Sequence, residues 1–426
     1  MARVFIAGAS GFIGRHLAVA LAARGHEVTG AGRAAVAVPT TGCARQVLLD
    51  YQSPARDAWA RELTRVDVVI NAIGILRESG GQTFDALHVR GPQALFAAAA
   101  TAGVRRIIQV SALGADADAV AVYHRSKRQA DEFLAALPLD WAIVQPSLVY
   151  GPGGSSATMF DTLASLPLMA VPGDGQQQVQ PVYIDDLIEL LTRLVESPVE
   201  LRCRIAAVGP RPLTLREFLQ ELRAALGFGP TLTWRVPRVL IRIGAWLGER
   251  VPGVMLDRET LGMLERGNTA PAAPFEQWLG RTPRPVSAFI TPDERSARHQ
   301  SATLQWLAPL LRVGVAAMWL IAAITSLGLY PVDASLELLR TLGAPATLAP
   351  VLLFGAAFFD FTLGVLTLLP RRHRLLWDVQ ILLVLTYTLI ISVWLPHLWL
   401  EPFGPVAKNL PILALLLLLR QLEDRR

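Results

Sequence analysis

Three stretches in the last third of the chain, Val313–Leu329, Thr341–Phe359 and Val379–Leu400, run for 17, 19 and 22 residues without a Lys, Arg, Asp or Glu. Each is close to the roughly 20 apolar residues that cross a bilayer as a helix. The alternative, a buried bundle in a soluble protein, requires several near-continuous apolar runs to pack within one third of the chain. Composition points the same way: 52% of residues are hydrophobic and 18% charged, against about 25% charged in a typical soluble domain. A fourth span, Pro402–Leu419, is long enough if Lys408 snorkels to the interface. The basic run Arg371-Arg372-His373-Arg374 lies between spans two and three, and Arg425-Arg426 ends the chain. The positive-inside rule places both, with the N-terminal part, in the cytoplasm of a bacterial-type inner membrane.

Ahead of these runs the texture is different. Met1-Ala2-Arg3 is followed at once by Val4-Phe5-Ile6-Ala7, with no basic segment, long apolar stretch and cleavage site, so no signal peptide is expected. Short β-branched runs (Glu27–Gly30, Val66–Asn71, Arg106–Ser111, Ala142–Val144) alternate with alanine-rich helical stretches (Arg15–Arg24, Gly91–Ala102, Ser126–Leu137). That alternation predicts βαβ units and a doubly wound parallel sheet over 1–150. Residues 151–291, punctuated by Gly and Pro, read as a smaller α+β second lobe, 292–302 as a polar linker, and 303–426 as an all-α four-helix transmembrane bundle.

The glycine run Gly8-Ala9-Ser10-Gly11-Phe12-Ile13-Gly14 follows the first strand and opens a helix. Glycines there let the backbone turn sharply and approach a pyrophosphate seated on free amides at the helix N-terminus. Position in a strand-turn-helix unit, more than the glycine spacing itself, makes this a nucleotide site. The second strand ends in Thr29-Gly30-Ala31-Gly32-Arg33, with a cation where an acidic residue would hold a ribose 2′-hydroxyl. Arg33 suits a 2′-phosphate, which favours NADP(H) over NAD(H); a solvated loop arginine is the alternative.

With these motifs the N-terminal part resembles the extended or atypical short-chain dehydrogenase/reductases, whose pattern is GxxGxxG. Asp50 matches their acidic residue at the end of strand three, which meets the adenine, and Asn71-Ala72-Ile73-Gly74 their strand-four turn beside the ribose. Ser111, then Tyr123-His124-Arg125-Ser126-Lys127, match the serine and the Tyr-x-x-x-Lys pair. Gln145-Pro146-Ser147-Leu148-Val149-Tyr150-Gly151 and Pro181-Val182-Tyr183-Ile184-Asp185-Asp186 follow in the family's order. The resemblance implies a Rossmann fold. It implies a cofactor held by Gly8, Ser10, Gly11, Phe12, Ile13, Gly14, Arg33, Asp50, Ala72, Gly74, Lys127 and Pro146. It implies catalysis by Tyr123, Lys127 and Ser111.

The chemistry of the pair stands on its own geometry. Three intervening helical residues put Tyr123 and Lys127 one turn apart on one face, where an ammonium is expected to stabilise a phenolate and lower the tyrosine pKa. The strand pattern of Val104–Leu113 also allows the usual catalytic Ser/Thr to fall at Ala112. In that register Ser111 stands one position early and the substrate carbonyl lacks its hydroxyl donor. The spacing from Ser111 to Tyr123 is short. These features are most similar to the atypical group that includes the nucleotide-binding accessory subunit of respiratory complex I, some of whose members hold NADPH without turnover.

The C-terminal part resembles the DoxX-like membrane domains in span count, in Arg312 and in Pro405-Val406-Ala407-Lys408-Asn409-Leu410. Asp360 inside span two is a functional-site candidate by default, with Arg312 or Lys408 as partner, or a neutral group bonded to a neighbouring helix. In Val236–Arg250, Leu240, Ile243 and Leu247 recur at helical spacing beside Arg238, Arg242 and Trp246. This reads as a helix packed on the second lobe or, alternatively, lying on the membrane surface.

Cys43 and Cys203 are too few for a disulfide framework, and no Cys/His cluster has metal-ligand spacing. The net charge of +5 is scattered rather than gathered into a stripe, which argues against nucleic acid and for loops facing anionic lipid. The reading is a membrane-anchored NADP(H)-dependent oxidoreductase acting on a lipophilic carbonyl, quinone or lipid-linked substrate. One alternative is a catalytically silent NADPH-binding structural or redox-sensing subunit of a membrane complex. Another is a sugar-nucleotide epimerase or dehydratase.

Overall fold

The computed structural model describes residues 1–32, 42–49, 51, 59, 61–248, 258–369, 374–402 and 404–424. The chain divides into two compact units, Met1–Ala302 and Thr303–Arg426.

In the first unit seven parallel strands form one sheet: β1 (Arg3–Ala7), β2 (Glu27–Gly32), β3 (Arg45–Leu48), β4 (Val68–Asn71), β5 (Arg106–Val110), β6 (Asp140–Pro146) and β7 (Cys203–Ala207). Their spatial order is β7-β6-β5-β4-β1-β2-β3. Successive side chains of a strand face opposite ways, and both faces are apolar. Val4, Ile6, Val68, Ile70, Ile108 and Val144 join one core with Leu17 and Leu21 of helix α1 (Phe12–Ala23). Phe5, Val69, Ile107 and Ile143 join the other with Leu95 and Phe96 of α2 (Gly91–Thr101) and Leu134 of α3 (Val122–Ala135). A sheet covered on both faces is what continuous apolar strands require.

The predicted helix Ser126–Leu137 begins earlier, at Val122, which puts Tyr123 in its first turn. The sheet also differs from the predicted 1–150 domain. Its seventh strand, β7, comes from the stretch read as the second lobe and pairs in parallel with β6 from Cys203↔Ala142 to Ala207↔Pro146. Helix α4 (Ile184–Glu196) makes this crossover. Buried Arg106 closes its end, donating to the carbonyls of Leu194, Ser197 and Val199 at 2.5, 3.0 and 2.6 Å while pairing with Asp140. Free carbonyls at a helix C-terminus attract such a cation.

The rest of the second lobe is built on two-strand pairings, Met169–Pro172 with Thr233–Val236 and Gln178–Val179 with Leu213–Thr214. Helix Leu215–Ala225 opens on a capping box in which Glu217 N–H donates to Thr214 Oγ1 at 3.1 Å and Thr214 N–H to Glu217 Oε2 at 2.8 Å. Residues 292–302, read as a linker, are helical and begin the helix Pro292–Ile324.

Three helices of the chain are long and apolar enough to cross a membrane among the described residues: Pro292–Leu329, Ala349–Leu368 and Arg374–Trp394. Span two therefore lies further along than Thr341–Phe359. The preceding helix, Val332–Thr341, is closed by Gly343 at φ +89°, and Pro350 sits at the start of the next. The fourth helix, Asn409–Asp424, has 16 residues rather than the expected Pro402–Leu419, about 24 Å at 1.5 Å per residue. Arg371, Arg372, His373, Arg425 and Arg426 lie outside the described residues.

Inside this unit Trp319, Leu363, Trp377 and Leu416 form a narrow core, while Val351, Phe358 and Leu382 face outward, as lipid-facing helices do. Gly364 lets two helices close up, since a Cβ there would lie 2.7 Å from Leu320 Cγ. Trp319 Nε1 donates to Gln380 Oε1 at 2.7 Å, and Gln380 Nε2 to Thr367 Oγ1 at 3.2 Å.

Candidate functional site

The order of the sheet reverses between β1 and β4, and ligands of open α/β sheets bind outside the strand ends at that point. Gly8, at the end of β1, has φ +83°, and a Cβ on it would stand 3.1 Å from the Ala72 backbone at the end of β4. Gly11 N–H donates to Gly8 O at 2.9 Å, closing the turn. Gly14 is the tightest position, because a Cβ there would lie 2.2 Å from Gly8 O. Ser10 and Gly11 are exposed, and Phe12 and Ile13 half-buried at the start of α1. These glycines leave a cradle of backbone that fits a dinucleotide pyrophosphate at a helix N-terminus. Arg33 and Asp50 lie outside the described residues.

The opposite side of the site rests on α3, whose His124, Lys127 and Asp131 share a buried face. Lys127 Nζ donates to Ile73 O at 2.9 Å and Val110 O at 3.1 Å, beneath Gly74. Pro146 ends β6, and its carbonyl accepts from Leu113 N–H at 2.9 Å. The Tyr123 ring lies among Phe84, His88 and His124, with centroids 6.0, 5.4 and 5.3 Å away.

Two expectations change here. Burial, and then the carboxylate of Asp131, push the Tyr123 phenol up to about 12, where a lowered value was expected. The Lys127 ammonium is spent on two carbonyls and faces Asp131, so it does little for a phenolate. Burial lowers Lys127 and raises Asp131, each moderating the other. The second change concerns Ser111. Its hydroxyl donates to Asp131 Oδ2 at 2.5 Å, its N–H to Val144 O at 2.8 Å, and the residue is buried. Ala112, next along, offers no hydroxyl.

Several neighbours carried no sequence signal. Ile75 N–H donates to His88 Nε2 at 3.0 Å, so Nδ1 holds the proton and donates to Ser126 Oγ at 2.9 Å; that hydroxyl donates on to Tyr123 O. Burial, aided by Lys127, pushes His88 down to about 2. Asn71 Nδ2 donates to Gln109 Oε1 at 2.7 Å under the site. From the second lobe, the helix Arg258–Arg266 supplies Glu259, which accepts from Tyr123 N–H at 2.8 Å. It also supplies Arg266, which donates to Gly114 O at 2.9 Å and Asp116 Oδ1 at 2.7 Å. A His, an Asp and a Glu at 38, 20 and 136 residues from their partners form no local motif; only the i,i+4 spacing of Lys127 and Asp131 was there to be read.

In the membrane unit, Arg312 does not serve Asp360. It donates to Thr367 O at 2.7 Å and Leu369 O at 2.9 Å and pairs with Glu423 at 3.3 Å. Asp360 is buried, its Oδ1 without a hydrogen-bond partner among the described residues, and Lys408 is exposed.

A glycine cradle at the switch point of a parallel sheet, faced by a Tyr/Lys helix, defines a nicotinamide-dinucleotide-binding Rossmann domain of the short-chain dehydrogenase/reductase type. Residues 4–209 match the NAD dependent epimerase/dehydratase family and residues 316–417 the DoxX-like family. The chain thus joins an NAD-dependent epimerase-type domain to a C-terminal DoxX-like domain. It is 26% identical over 230 residues to the ceramide reductase of Caulobacter vibrioides, covering 54% of this chain and 72% of that one. It is 27% identical over 251 residues to mitochondrial NADH dehydrogenase (ubiquinone) 1 alpha subcomplex subunit 9 of Rattus norvegicus, covering 57% of this chain and 64% of the rat protein. The human epimerase family protein SDR39U1, solved with NADPH, shares the fold at a TM-score of 0.52 and 20% identity, over 70% of this chain and 99% of that one.

Proposed function

We propose that this chain is a membrane-anchored, NADP(H)-dependent oxidoreductase that reduces a lipophilic carbonyl, quinone or lipid-linked substrate. The observation that carries the reading is Tyr123 in the first turn of α3, one turn before a Lys127 whose Nζ is fixed beneath Gly74. A nicotinamide dinucleotide bound in the glycine cradle would supply the hydride. Tyr123, held protonated by burial, is an acid at neutral pH, and its Oη proton goes to the substrate oxygen as the carbonyl carbon gains hydride. Lys127, its Nζ fixed beneath Gly74, would hold the ribose of the cofactor. Preference for NADP(H) rests on Arg33 at the end of the second strand, where no carboxylate would repel a 2′-phosphate. The lipophilic class rests on the fused apolar helices, which hold the site near bilayer-dissolved molecules at high effective concentration, and on likeness to a protein named for reducing ceramide, a lipid. The basic loop and the C-terminal arginines of the sequence support a cytoplasmic site.

Bonding of Ser111 to Asp131 favours a second reading, a silent NADPH-binding subunit of a membrane complex. Detergent-solubilised protein separates the two. An oxidoreductase exchanges NADPH rapidly and oxidises it when a lipophilic acceptor is added, and Tyr123→Phe abolishes turnover at unchanged cofactor affinity. Tight retention of NADPH, with no consumption and no effect of Tyr123→Phe, establishes the silent subunit. Failure to bind NADPH overturns both.

A further inference from the structure

The second lobe exposes apolar side chains along one continuous stretch. Leu232 and Trp234 lie in and beside the strand Thr233–Val236, and Val239, Leu240, Ile243 and Trp246 on the helix Arg238–Gly248. Among the described side chains of that helix Ile241, 7% exposed, is buried, whereas Val239 is 67% and Ile243 49% exposed. At about 100° per residue, Val239, Ile243 and Trp246 fall within about 40° of the direction opposite Ile241. Among the described side chains, the helix thus presents apolar groups on its outward face as well as inward. Arg235 and Arg242, both exposed, flank that face.

A lone exposed apolar residue needs no explanation, but a contiguous patch of this kind marks an interaction surface. Outward Val, Leu, Ile and Trp, with arginine at the flank, is the composition of a helix lying in the headgroup region of a bilayer. The same polypeptide carries the helices that are long and apolar enough to cross a membrane, the first of which begins at Pro292. Arginine complements the anionic cytoplasmic leaflet. We infer that the helix Arg238–Gly248, with Trp234 beside it, is a membrane-surface element that docks on anionic lipid. This holds whether or not the chain turns substrate over.

The test uses the full chain in lipid nanodiscs, with Cys43 and Cys203 replaced by serine and an environment-sensitive NBD label at Ile243→Cys or, as control, at exposed Glu200→Cys. Docking predicts blue-shifted emission at 243, lost on adding nitroxide-bearing lipids and strengthened by anionic phosphatidylglycerol, with water-like emission at 200. Water-like, unquenched emission at 243 overturns the inference. So does a blue shift that ignores nitroxide lipids and disappears on dilution, which identifies a second copy of the chain as the occupant. Unsubstituted protein gives an independent reading through a diazirine-bearing phospholipid. Adducts within 239–246 support docking, and adducts confined to the crossing helices refute it.

Discussion

A methyl group on Gly14 would sit 2.2 Å from the carbonyl oxygen of Gly8, and the loop has no flexible side chain there to give way. Gly14→Ala must displace the turn, so dinucleotide affinity is expected to fall at least about tenfold, the equivalent of about 1.4 kcal/mol; fluorescence titration of NADPH measures it, with circular dichroism confirming the fold. His88 carries a pH prediction. Its folded pKa, near 2, lies below its ordinary 6.5. Below pH 6.5 the unfolded chain binds a proton that the folded one refuses. The stability due to neutral His88 is thus complete above about pH 6.5 and declines as pH falls toward 2, by up to about 1.4 kcal/mol per unit. His124, lowered to about 4, and Asp131, raised, titrate in overlapping ranges with opposite signs, but both persist in a His88→Gln variant. The stability gap between parent and variant should therefore narrow from pH 6.5 to 4.5, as read by thermal unfolding at each pH. Gly8, Gly14, Tyr123 and Lys127 could be picked from the sequence because the cradle and the pair are local motifs. Asp131 as partner of Ser111 could not, because it is reached only when β5 and α3 pack.

Among the elements, the crossing helices were legible as apolar runs because composition alone decides whether a segment belongs in lipid. Their ends were not, because glycine and proline set them: Gly343 closes one helix and Pro350 starts another. The interior polar bonds were equally hidden, since Trp319 and Gln380 are 61 residues apart. Gln380→Leu leaves the buried Trp319 N–H without its acceptor, a loss of about 1 kcal/mol. Adding Trp319→Phe removes the stranded donor. The double variant should then unfold later than the sum of the two single changes predicts, a coupling that a double-mutant cycle in detergent reports. Purely additive losses would mean that this bond contributes nothing to the helical unit.

For the whole molecule, the alternation of strands and helices predicted the parallel sheet but misplaced its edge, since β7 is added from beyond the second lobe's first helix by a crossover no local pattern reveals. Which side of the membrane the nucleotide site faces depends on charge rather than on fold. The loop between spans two and three holds Arg371, Arg372 and Arg374, while the segment 330–348 holds Asp333, Glu337 and a single arginine, Arg340. Orientation follows the Lys/Arg excess of short loops and hardly responds to acidic residues, so three arginines against one are expected to favour the basic loop inside. With one crossing before 330–348, the proposed topology has the N-terminal unit on the same side as the basic loop. In intact cells, a membrane-impermeant maleimide should therefore label Glu337→Cys, exposed on the helix Val332–Thr341, in a background without Cys43 and Cys203. Glu200→Cys in the first unit should label only after permeabilisation. The reverse pattern would put the site outside, away from the cell's NADPH, and the reductase reading would fail with it.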